Sequence, residues 1–152
     1  MLGEQKYVYI GVDPVILDWD RKIILALRSK SLKAEPGKWH LPGGLAVAGE
    51  RMETAVKRIA KTKTGLDIGF LINDSMVASF VGFYDDPKRD SRYHDVAHSF
   101  LCKIIGGEKS AGKDITEVRA FTPSEIDGLD IAFDHRSIIK DAVFRLKALR
   151  LL

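Results

Sequence analysis

Cysteine is almost missing from this chain: Cys102 is the one cysteine in 152 residues. A lone thiol closes no internal disulfide and has no partner for a cysteine-rich zinc site. Within the apolar run SFLCKII it reads as a small buried hydrophobe rather than a nucleophile. Long hydrophobic runs are lacking too, and none approaches the ~18 residues of a membrane-spanning helix. The opening MLGEQKYVYIGV has no basic segment leading to an apolar stretch and a small-residue cleavage site, so a cytoplasmic location is expected. No sign of charge dominates, since 24 Lys and Arg against 21 Asp and Glu leave +3. The pI near 9.0 is a mild bias toward anionic partners, which by itself does not separate a nucleic acid from a phosphorylated metabolite. Internal repeats and low-complexity linkers are absent. What is present is apolar matter for one core, 45% hydrophobic against 30% charged residues, which sets aside disordered and collagenous classes and predicts a single domain over residues 1–152.

The chain opens in the strand pattern. Residues 7–12 and 15–17, on either side of Pro14, and 23–27 after the polar turn Asp18-Trp19-Asp20-Arg21 predict a hairpin. Residues 29–44 form an irregular stretch ending in PGKWHLPGG. From 51 to 64 the period changes: Met52, Ala55, Val56, Ile59 and Ala60 make the stripe of an amphipathic helix, and Gly65 stands where a C-terminal cap belongs. Further strands are predicted at 67–71, 76–83, 95–105 and 117–121, with a polar loop at 84–93 and a turn at Gly106-Gly107. Thr122-Pro123-Ser124-Glu125 is a capping box that opens a short helix. Asp134 is expected to cap a final helix whose apolar side chains are Ile138, Ile139, Ala142, Val143, Leu146 and Leu149. Mixed strands with two principal helices imply an α+β fold, a sandwich of helix, sheet and helix.

Gly44, Glu50, Arg58, Gly65 and Leu66 stand at the offsets of a Nudix box, and PGKWHLPGG, with Gly43 and Gly44, is similar to the approach to that box. The hairpin GVDPVILDWDRKIILALR, the segment FYDDPKRDSRYHDVAHSF and the closing FDHRSIIKDAVFRL extend the likeness over most of the chain. The chain therefore resembles the Nudix hydrolase family, which implies a mixed sheet clasped between helices and action on a nucleoside diphosphate linked to another moiety. In that family three glutamates of the box helix hold Mg²⁺ or Mn²⁺ against the diphosphate, because hard cations take oxygen ligands and offset the developing charge. Those positions are here Ile59, Thr62 and Lys63: an aliphatic, a hydroxyl and an amine. Glu50 is the metal candidate left, for an ion held weakly if at all, with a network to Arg58 as the other use of its carboxylate. Glu53, three residues on, is read as helix-end electrostatics.

One branch, the GDP-mannose mannosyl hydrolases, works with a reduced box, and by resemblance to it Asp13 is the acidic position of the first hairpin, Arg28 a phosphate contact and His94 the base. That branch keeps a glutamate where this chain has Lys63. The strands and loop also resemble ADP-ribose pyrophosphatases and ADP-ribose-sensing regulators. A neutral imidazole accepts a proton near pH 7, and alternation puts His94 on one face with Val96, His98 and Phe100. A strand-end histidine without a role is the competing reading. His98 is expected in the core, His40 in loop packing, His135 at a helix start, and Asp85, Asp86 and Asp90 as polar turn residues, with carboxylates for a displaced cation as the other reading of these three. Trp39 is a candidate for stacking on the ligand, with a packing role beside LPGG as the competing reading. Lys57, Arg58, Lys61 and Lys63 make a basic helix, read either as a solvated face or, at Lys63, as an ammonium that holds phosphate without metal.

Two functions stay open. One is a hydrolase of nucleotide-sugar or ADP-ribose type substrates, with water activated by His94 or Asp13; the other is a catalytically inactive binding domain with a sensor or regulatory role. Nucleic-acid binding has only pI and helix basicity in its favour. The apolar end LKALRLL adds the expectation of a homodimer.

Overall fold

The computed structural model describes residues 7–152. Among the described residues eight strands join one mixed sheet: β1 (Tyr9–Leu17), β2 (Ile23–Arg28), β3 (Trp39–His40), β4 (Gly44–Leu45), β5 (Leu66–Phe70), β6 (Phe80–Tyr84), β7 (Asp95–Gly107) and β8 (Ile115–Phe121). The main order is β3-β2-β1-β7-β5, with β4 on β1, β6 on β7 and β8 on β2. The helices are α1 (Met52–Thr64), α2 (Pro123–Asp127) and α3 (His135–Ala148).

β1 and β7 run parallel at the centre, from Tyr9 opposite Asp95 to Leu17 opposite Lys103. Both faces of these strands are covered, so their sequences read as near-continuous apolar runs. Alternation sends Val12, Ile16, Ile24, Phe100 and Cys102 toward Val56 and Ile59 of α1. It sends Val15, Leu17, Ile23, Leu25 and Leu101 toward Ile138, Ile139 and Leu146 of α3. Each fully buried aliphatic side chain of this kind contributes about 1.5–3 kcal/mol, so two half-cores clasp one sheet in the expected helix, sheet and helix arrangement. Cys102 is buried in the α1 half, and burial pushes its thiol up, away from reactive thiolate.

Several boundaries differ from the sequence expectation. β1 starts at Tyr9 rather than Tyr7 and runs unbroken through Pro14. Pro14 falls between Gly11 and Val12, which pair with β4, and Leu17, which pairs with β2, so the ladder on that flank is interrupted there. Residues 76–79 are turn, not strand. Ser79 Oγ accepts from the Ile72 N–H at 2.9 Å and Ser75 Oγ from the Ala78 N–H at 3.2 Å, bonds that compete with a ladder. Gly106 and Gly107 extend β7, paired with Asp67 and Leu66 past a bulge, instead of turning. The stretch 29–44 contains β3 and the start of β4.

The capping box forms, Thr122 Oγ1 accepting from the Glu125 N–H at 3.2 Å and the Glu125 carboxylate from the Thr122 N–H at 2.7 Å. Gly65 ends α1 in the left-handed region, φ 75°. Asp134 precedes α3 but makes no cap bond, because its carboxylate turns to Arg89. Leu149 lies past α3 and is exposed, while Leu151 and Leu152 pack back on the α3 half-core.

Candidate functional site

A cavity of about 360 Å³ opens where β1, β2 and β4 meet α1 and the start of α3. Of the residues singled out in the sequence, Asp13, Arg28, Gly43, Gly44, Arg58 and Lys63 line it. His94, Trp39 and Glu50 do not. His94 lies just before β7, between Tyr93 and Asp95, which do line the cavity. Its Nε2 lies 3.1 Å from the Asp85 carbonyl oxygen instead. Trp39 packs edge-on against Phe121, ring centroids 4.8 Å apart. Both oxygens of Glu50 accept from Arg58, at 2.7 and 2.9 Å, and Arg58 also donates to the Leu45 carbonyl at 2.9 Å. Glu53 pairs with Lys57 at 3.1 Å on the exposed face of α1. His98 is half-buried rather than in the core, with Nδ1 3.0 Å from the Val96 carbonyl oxygen.

Residues with no local signal hold the centre of the site. Arg89, its side chain 3% exposed, donates to Asp95 Oδ2 at 2.7 Å and to Asp134 at 2.6 and 2.8 Å, and reaches Asp13 Oδ2 only at 3.5 Å. Asp13 is thus the loosest of its three partners. Burial raises the Asp13 carboxyl to about 7, outweighing the lowering by Arg89. Asp95 is raised to about 6 by burial, and its Oδ1 is buried without a hydrogen-bond partner. His135 is held neutral, lowered to about 3 chiefly by burial. Its Nδ1 accepts from the Leu41 N–H at 3.0 Å, and its Nε2 faces Asp13 Oδ1 at 3.5 Å. His40, also kept neutral by burial, lies parallel to the His135 ring at 6.0 Å and donates from Nδ1 to the Ala26 carbonyl at 2.8 Å.

Two glycines make room for these acids. A Cβ on Gly43 would meet Asp13 Oδ1 at 1.9 Å and the Val12 carbonyl oxygen at 2.9 Å, and one on Gly11 would meet Asp95 Oδ1 at 2.1 Å. Phe133, in the left-handed region at φ 54°, places its ring 5.0 Å from the Arg28 guanidinium and 5.3 Å from that of Arg92. Arg92 in turn holds Asp90 through two nitrogens at 3.0 and 2.8 Å. Asp90 therefore belongs to the cavity, unlike Asp85 and Asp86.

This donor set does not fit a divalent cation. Ile59 has no donor, Lys63 carries its own positive charge, Thr62 offers one hydroxyl, and Arg58 occupies both Glu50 oxygens. The nearby aspartates are engaged by Arg89 and Arg92. Among the described residues no three His, Cys, Asp or Glu side chains are grouped to hold an ion.

The NUDIX domain matches residues 9–142 of this chain. The chain is 39% identical over 132 residues to an ADP-ribose pyrophosphatase of Methanocaldococcus jannaschii, covering 87% of this chain and 71% of that protein. A MutT/nudix family protein from Enterococcus faecalis superposes with a TM-score of 0.76 at 25% identity, over 97% of this chain and 65% of that one. The NUDIX domain of Shewanella oneidensis NrtR, solved as a complex with ADP ribose, superposes with a TM-score of 0.76 at 22% identity, over 96% and 93% of the two chains.

Proposed function

The chain belongs to the NUDIX family, and on that premise we propose that it acts as a hydrolase on a nucleoside diphosphate linked to a second moiety, of the ADP-ribose or nucleotide-sugar type. One observation carries the reading: a single cavity brings Asp13, which exchanges its proton near neutral pH, together with Arg28, Arg58 and Lys63. The cations offset charge on the phosphates. Asp13 in its ionised form accepts the proton of an attacking water, and Gly43 and Gly44 let the backbone come close to the ligand. Asp13 takes the base role before His94, and Trp39 is left out of ligand contact, because Asp13 lines the cavity and the other two do not. The name of the Methanocaldococcus jannaschii relative makes ADP-ribose the first compound to test.

Ile59, Thr62 and Lys63 at the box positions favour a second reading, a binding domain with a sensor or regulatory role that has lost the metal carboxylates. We read residues 1–152 as one domain in either case, working in the cytoplasm; among the described residues no helix is long and apolar enough to cross a membrane. Incubating ADP-ribose, nucleotide sugars and dinucleotides with the protein in Mg²⁺, Mn²⁺ and EDTA separates the two. Released product supports the hydrolase. A raised melting temperature with no product in any metal supports the binding domain, and neither signal removes both.

A further inference from the structure

Charge around the cavity is unevenly matched. Arg89 engages Asp95 and Asp134, Arg92 engages Asp90, and Arg58 engages Glu50. Two cations are left. Arg28, 7% exposed, donates from Nε and Nη2 to the carbonyls of Ala34 and Glu35, at 2.8–3.2 Å, and has no carboxylate of the described residues within ion-pair distance. Its Nη1 makes no hydrogen bond with the described residues. Lys63, half-buried in the last turn of α1, has no ion pair among the described residues, whereas its neighbour Lys61 pairs with Asp67 at 3.1 Å. Both line the cavity, one from β2 and one from α1. Burial and the Arg28 charge together depress the Lys63 ammonium, while Asp114 acts the other way from beyond contact distance.

Two like charges that line one cavity and are partly desolvated, with no counter-ion in contact among the described residues, are costly, and that cost is relieved when an anion enters. The guanidinium is pinned by backbone carbonyls and by the Phe133 ring, so it is pre-organised; the ammonium is a compact charge with three donors. Two cations reaching one cavity from two elements match a ligand with two linked negative groups. We propose that Lys63 and Arg28 form a metal-free diphosphate clamp, in which side chains hold the bridged phosphates directly where a divalent ion has no carboxylates to bind it. This deepens the functional reading above and rests on its ligand class.

The test is calorimetric titration of the full chain with inorganic pyrophosphate and with ADP-ribose, in EDTA and in Mg²⁺. Pyrophosphate is expected to bind in EDTA with the affinity it shows in Mg²⁺, within about twofold. Lys63→Gln weakens it about tenfold, or ~1.4 kcal/mol, while Lys57→Gln, on the exposed face of the same helix, leaves it unchanged. Pyrophosphate binding that needs Mg²⁺, no binding in either medium, or wild-type affinity in folded Lys63→Gln overturns the clamp. Should Lys63→Gln melt early, the wild-type salt dependence decides: binding in EDTA that weakens as NaCl rises supports two direct ion pairs, and salt-insensitive binding overturns them. Pyrophosphate bound without metal while ADP-ribose neither binds nor turns over sinks the functional reading and spares the clamp; ADP-ribose handled only with Mg²⁺ does the reverse.

Discussion

At the scale of single residues, Asp13 couples the site to folding. A carboxyl near 3.9 in the unfolded chain is raised to about 7 in the fold, so the native state keeps a proton that the unfolded chain releases. The stabilisation is fully present below pH ~4 and is lost as pH rises through ~7. Asp95, raised to about 6, acts with the same sign. Asp13→Asn cannot ionise, so denaturant unfolding is expected to show wild type losing on the order of a few kcal/mol relative to the variant between pH ~4 and ~7; parallel curves would refute the assignment. In the hydrolase reading the same change lowers turnover about 10²–10⁴-fold. Gly43→Ala forces a Cβ against Asp13 Oδ1 and the Val12 carbonyl; it should cost about 1–3 kcal/mol by thermal melting and flatten the Asp13 pH dependence. Asp13 was legible because it falls in a recognisable hairpin segment. Arg89 was not: its partners Asp13 and Asp134 lie 76 and 45 residues away, a distance no local pattern spans.

At the scale of elements, α1 and α2 follow their local signals, since a 3.6-residue apolar stripe, a left-handed glycine and a capping box are short-range devices. The first half of the strand expected at 76–83 is turn, and the turn expected at 106–107 is strand, because serine-directed turns and a bulge depend on neighbours in the sheet. The start of α3 separates local from tertiary logic. Asp134 has the identity of an N-cap but serves Arg89. Asp134→Ser, well suited to capping, is therefore expected to lower stability by about 1–3 kcal/mol in denaturant melts, by leaving a buried guanidinium short of a partner. A serine variant as stable as wild type would restore the capping role.

At the scale of the whole molecule, Phe144 on α3 and Phe83 on β6 remain 78% and 62% exposed. We expect a homodimer to cover apolar surface of this kind: sedimentation should give about twice the 16.9 kDa chain mass, returning to one chain in Phe144→Glu, and a monomeric wild type ends the expectation. By itself the sequence determined the alternation of strands, the stripe and cap of α1, the helix, sheet and helix layering, and the box offsets, because periods of 2 and 3.6 and cap chemistry act over a few residues. Only the tertiary structure decided which charges meet. That Arg89 gathers Asp95 and Asp134, that Asp13 holds its proton up to about pH 7 and that Arg28 and Lys63 stand without counter-ions among the described residues all follow from burial and through-space distance, quantities that exist only once distant segments are packed together.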